Sequence, residues 1–155
     1  MNDASRYEGF DPATIRKVRL QRFFHYWNAK RGTAPCPRHG DIDPLEIRYA
    51  LGYVLIAERR PAPDHFHIRL MGQELVERYG IDLTGRSLAD YPEPVFRDLV
   101  RKTFATVIDQ RRPVLVDRDI VSAGRRHRYE GLTLPLSSDG KAIDQVIACL
   151  DFSDE

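Results

Sequence analysis

The chain has 155 residues, 42% of them hydrophobic and 30% charged, with a formal net charge of +1. That length suits one domain with its own core, and the near-neutral balance argues against general nucleic-acid binding, which needs a strong basic excess. No apolar run approaches the roughly eighteen residues of a membrane span, and the opening MNDASRYEGFDPATIRK is too polar for a secretory signal, so the expected compartment is the cytoplasm.

Residues 1–14 are polar, contain Asp11-Pro12, and read as a flexible leader to a single domain over 15–155. A leading helix is predicted over 15–31, where Ile15, Val18, Phe23, Tyr26 and Trp27 are apolar and Arg31-Gly32-Thr33 stops the run. Its apolar positions fill a broad arc, the pattern of a helix that touches two surfaces, for example its own domain and a partner. Phe23, Tyr26 and Trp27 are therefore the candidate homodimer contact. APCPRHGDIDP (34–44) is a loop, after which Asp43 can cap a short helix with Pro44 at its first position, running to about Leu51.

Two β-prone runs follow, 53–58 and 65–71, around the turn-like RRPAPD. Gly72 opens a short helix, QELVERY, that Gly80 closes, and Ser87 reads as the cap of another turn. The clearest helical period lies between Glu93 and Gln110, where Phe96, Leu99, Val100, Thr103, Phe104 and Val107 share a face. Strands are predicted at 114–121, 126–137 and 142–152, joined at Ala123-Gly124 and at Asp139-Gly140, the favoured dipeptide of a two-residue type I′ turn. Strands at both ends with helices between them give an α+β fold: a five-stranded sheet with helices on one face and an extra N-terminal helix.

Few residues point to chemistry. Cys36 and Cys149 lie far apart without a CxxC, against a disulfide framework or a structural zinc site. HFH (65–67) puts two imidazoles on one side of a strand, but no third metal ligand is near, and the acids of GDID (41 and 43) read as caps and turns. Arginine supplies 20 of the 24 basic residues, which fits forked anion contacts or simply a biased base composition. RRHR (125–128) reads as a solvated hairpin end that could also hold a phosphate or an acidic partner. No Gly-x-Ser-x-Gly, Walker or HExxH sequence is present, so the reading is not an enzyme.

MGQELVERYGIDLTGRSL (71–88) and the terminal LTLPLSSDGKAIDQVIACLDFS resemble the corresponding segments of PAS domains. Tyr26-Trp27, DIDP (41–44), RLMG (69–72), GIDLTGR (80–86) and LPLS (134–137), in that order, resemble a bacterial subfamily of stand-alone, single-domain PAS proteins. The resemblance implies a PAS-like antiparallel sheet and a sensor or interaction module in bacterial signalling, with a small-molecule ligand, a signalling protein partner, or both. Only Asp154 and Glu155 follow DFS, so output is expected through the surface, the leading helix or a separate partner.

The same resemblance argues against two cofactors and leaves the ligand unknown. Leu88 stands where light-sensing relatives carry their reactive cysteine, with Tyr129 and Cys149 at the flavin-contacting asparagine and glutamine positions, against flavin. The helix 93–110 has no histidine to ligate haem. Carried onto this chain, the pocket residues are Tyr79, Phe104, Tyr129 and Cys149, with Asp117 or Asp119 (Asp119 preferred) on the preceding strand. Leu132, Leu134 and Leu136 alternate with Tyr129, and both sets can be buried if the leading helix covers the other face of the sheet. The alternatives are a small-molecule enzyme or carrier on a related α+β cone fold, and a ligand-free interaction adaptor.

Overall fold

The computed structural model describes residues 10–153. Helix α1 (Val18–Arg31) leads into β1 (Val54–Arg59) and β2 (Phe66–Met71); α2 (Gln73–Tyr79) and α3 (Pro94–Gln110) follow, then β3 (Val114–Ser122), β4 (Arg125–Leu136) and β5 (Gln145–Asp151). The strands form one antiparallel sheet in the order β2-β1-β5-β4-β3, so the last strand to be made lies at the centre. This is the α+β fold the sequence predicts. Among the described residues, no helix is long and apolar enough to cross a membrane.

The local signals sit where the sequence puts them. Asp43 accepts from the Leu45 amide at 2.9 Å at the head of a 3-10 turn, and Ser87 accepts from the Ala89 amide at 3.0 Å. Gly80 ends α2 at φ 74°, and Glu93 caps α3 with Pro94 in its first turn. One signal is misplaced. The two-residue turn with positive φ at both centres, as type I′ requires, is Ala123-Gly124 (φ 54° and 72°), not Asp139-Gly140. β4 and β5 are instead joined by a loop over 137–144, because Ser137 leaves the sheet ladder to pair with 37–39: its amide donates to Pro37 O at 3.1 Å, and its carbonyl accepts from His39 N at 2.7 Å.

Both faces of the sheet are covered. α2 and α3 lie on one face, and α1 lies on β4 and β5 from the other, burying Leu20, Phe23, Phe24 and Trp27 against Leu132, Leu134 and Leu136. The leading helix does touch two surfaces, but the second is its own chain. Tyr26 Oη accepts from Asp43 N at 2.9 Å and donates to Glu46 Oε1 at 2.7 Å, and Arg22 lies 3.8 Å from the Tyr49 ring centroid. Of the expected dimer contact, Phe23 and Trp27 are 1% and 0% exposed within one copy and pack on their own chain, while Tyr26 is half-buried.

α1 has no capping side chain of its own. The amides of Arg16 and Lys17, just ahead of its first turn, donate to Glu130, a buried carboxylate on β4, at 3.0 and 2.8 Å. Of the leader, 1–9 lies outside the described residues. Residues 10–14 belong to the folded unit: Phe10 packs on Phe24 with ring centroids 5.6 Å apart, and 12–14 form a 3-10 turn capped by Asp11.

Candidate functional site

The inner face of the sheet, α2 and α3 enclose a cavity of about 80 Å³. Strand alternation decides which residues reach it. Leu55, Met71, Val116, Arg118, Tyr129, Ala148 and Leu150 come from the strands. Leu75 and Tyr79 come from α2, and Phe96, Val100, Thr103 and Phe104 from the face of α3 that its helical period marks. The wall is almost wholly apolar, so its few polar atoms carry the chemistry.

Tyr79 is the centre of the polar set. Its ring is stacked on both sides, against His127 at 4.5 Å and Phe96 at 5.4 Å between centroids, which holds it in one orientation. Its hydroxyl is buried and has no hydrogen-bond partner, the only such side-chain atom among the described residues. Burial pushes the phenol up strongly, neighbouring Tyr129 and Tyr91 push the same way, and Arg78 and Arg118 oppose them less strongly. Tyr129 is also raised by burial, against the pull of Arg118. At neutral pH both groups are uncharged phenols, and Arg118 supplies the positive charge beside them. Its guanidinium donates to Tyr129 Oη at 3.2 Å and to Thr103 Oγ1 at 2.7 Å.

Of the expected pocket residues, Tyr79, Phe104 and Tyr129 come together at the cavity. Cys149 and Asp119 do not. Cys149 pairs across the strands with Leu132 and faces α1, whereas its neighbours Ala148 and Leu150 line the cavity. On β3 it is Arg118 that pairs with Tyr129 and shares its face. Asp119 points away, and a forked contact with Arg126 at 2.7 and 2.6 Å lowers its carboxyl pKa. The sequence reading also missed His127, fully buried in β4 with Nε2 3.0 Å from Ser122 O and Nδ1 3.4 Å from Arg78 Nη1. The even-odd parity that places Arg118 with Tyr129 becomes readable once the Ala123-Gly124 turn is known, because a two-residue turn fixes the pairing of both strands.

Neither thiol is placed for reaction. Cys149 is 0% exposed and burial raises its pKa, and burial raises Cys36 to about 11 despite the opposing pull of Arg111. Both stay protonated at neutral pH. Iodoacetamide at pH 7.5 is expected to leave the folded chain unlabelled and to add two carbamidomethyl groups in denaturant, read by intact mass. Labelling of Cys149 in the folded chain would contradict this burial.

An antiparallel sheet in the order β2-β1-β5-β4-β3, enclosing a small cavity with helices on its inner face, defines an α+β module of sheet and covering helices. The family model described as PAS domain matches residues 15–151, and the chain belongs to the PAS domain family, whose members are signalling sensor and interaction modules. Among solved structures, the VqmA dimer of Vibrio cholerae is similar, with a TM-score of 0.51 at 17% identity, over 71% of this chain and 51% of that one. The present chain thus spans about half the length of VqmA. The PAS domain of Bordetella pertussis BvgS gives 0.49 at 16% identity, over 70% of this chain and 85% of that one. A domain of an HTR-like protein from Haloarcula marismortui gives 0.47 at 15%, over 63% and 94%. At such identities the likeness is one of fold. Comparison with curated proteins gives no match.

Proposed function

We propose that this PAS module is a sensor that takes a small molecule into the cavity between the sheet and α2/α3, with Tyr79 Oη as a hydrogen-bonding anchor. The observation that carries this reading is the orphaned hydroxyl itself. A buried hydroxyl without a partner costs about 1–3 kcal/mol, so a native fold keeps one where something else completes it. The volume of about 80 Å³ is roughly half that of an engineered cavity of about 150 Å³ that takes up benzene, so the enclosed part of the ligand has only a few heavy atoms. The apolar wall supports a ligand with a hydrocarbon body.

Two measurements test the reading. Native mass spectrometry of the purified chain is expected to show a discrete excess over the denatured mass. Tyr79→Phe is expected to leave the ligand-free protein as stable as the parent or up to about 1 kcal/mol more stable, because it deletes an unpaired polar atom. The same substitution should reduce the ligand-bearing fraction severalfold. Loss of several degrees in Tm, with unchanged ligand retention, would make the hydroxyl a structural group and return the chain to the adaptor reading.

A further inference from the structure

Resting on that ligand-binding reading, we infer that the cavity selects a short apolar carboxylate, with Arg118 as the group that reads its charge. Arg118 differs in its partners from three other strand arginines. Arg59 pairs with Asp109 at 2.7 Å, Arg69 with Glu58 at 2.9 Å, and Arg126 with Asp119 at 2.6 Å. Arg118 touches only the neutral oxygens of Tyr129 and Thr103, and among the described residues no carboxylate lies within 4.0 Å of it.

Carboxylates are available next to it in sequence. Asp117 and Asp119 flank it on β3, but alternation turns them to the opposite face, where Asp117 meets Arg16 at 3.3 Å and Asp119 meets Arg126. The acids nearest in the chain are therefore occupied elsewhere, and a half-buried guanidinium borders an apolar cavity with its charge uncompensated. A cation withdrawn from water needs an opposite charge or a full set of acceptors, and two hydroxyls do not use up five donors.

The remaining geometry gives the ligand its shape. A guanidinium fork matches a carboxylate, while Tyr79 Oη offers a further donor. Leu75, Val100 and Leu150 leave only hydrocarbon surface for the rest of the molecule, which disfavours a bare phosphate. Arg118 and Tyr129 also line an outer depression of about 200 Å³ with Asp117, Asp119 and Arg128. Arg118 thus stands between this depression and the apolar interior, where an anion can be met while its tail enters.

The experiment is isothermal titration calorimetry of the full chain, at constant ionic strength, with butyrate and its uncharged counterparts butyramide and 1-butanol. Butyrate is expected to bind at least tenfold more tightly than butyramide. Arg118→Gln should erase that preference without weakening 1-butanol, and Arg118→Lys, which keeps the charge and guards against a folding defect, should retain part of it. Equal binding of butyrate and butyramide would overturn the charge inference while leaving the cavity reading intact. No binding by butyrate, or by the longer hexanoate, would overturn the inference too, with the cavity reading then judged separately by the retained mass.

Discussion

Replacing Trp27 by alanine is expected to cost about 3–5 kcal/mol and to lower Tm by roughly 10 °C, the range for deleting a fully buried indole in a domain of this size. Trp27 is 0% exposed and packs on Phe24 with centroids 5.8 Å apart. Its Nε1 donates to Pro135 O at 2.8 Å, so the substitution opens a cavity and removes that carbonyl's indole donor. The effect is large because α1 adheres to the sheet mainly through one apolar stripe. Val18, on the same helix but 69% exposed, is the control: Val18→Ala should stay within about 0.5 kcal/mol. Urea unfolding of both variants decides the matter. A Trp27→Ala protein as stable as the parent, altered only in oligomeric mass, would mean that α1 packs between copies in solution and not on its own sheet.

Gly72→Ala is expected to be of similar severity, about 3 kcal/mol or more, for the opposite reason. The φ of Gly72 is −61°, so its backbone conformation suits any residue. Space is the obstacle: an added Cβ would lie 2.3 Å from Gly52 O and 2.6 Å from Leu51 O. Those are backbone atoms, tied down by the Gly72 amide, which donates to Val54 O at 2.8 Å. No side-chain rotation relieves the clash, so β1, β2 and the head of α2 must part. Gly80 gives the comparison, because its φ of 74° is unfavourable for alanine while the space around it is open. Gly80→Ala should cost only about 1–2 kcal/mol. If urea unfolding ranks Gly80→Ala as the more damaging, the close approach of 52 and 72 is not a constraint in solution.

Element type was legible wherever the cause is local. The spacing of Phe96, Val100, Phe104 and Val107 specified α3, and Gly80, Ser87 and Glu93 marked ends or caps by backbone geometry and short-range hydrogen bonds. Family resemblance brought three of the five pocket residues, Tyr79, Phe104 and Tyr129, to the cavity. The two failures differ in cause. Asp119 failed on hairpin register, since the Ala123-Gly124 turn sets Arg118 opposite Tyr129. Cys149 failed on which face of its strand turns inward. Alternation says which residues of a strand share a face, not which face is inward. With α1 on one side and α2 and α3 on the other, both faces of β4 and β5 are apolar and show no polarity contrast.

By itself, then, the sequence determined the kinds and order of the elements and the α+β class, because these follow from neighbours within a few residues. Only the tertiary structure decided the rest. It decided that Cys149 turns toward α1 rather than the cavity, and that Glu130 accepts from the amides just ahead of a helix more than a hundred residues earlier in the chain. It also left the Tyr79 hydroxyl without a partner and turned Trp27 inward. Each depends on register and burial between segments far apart in the chain, and those are settled only when the two faces of the sheet are covered and every buried polar group must find, or lack, its partner.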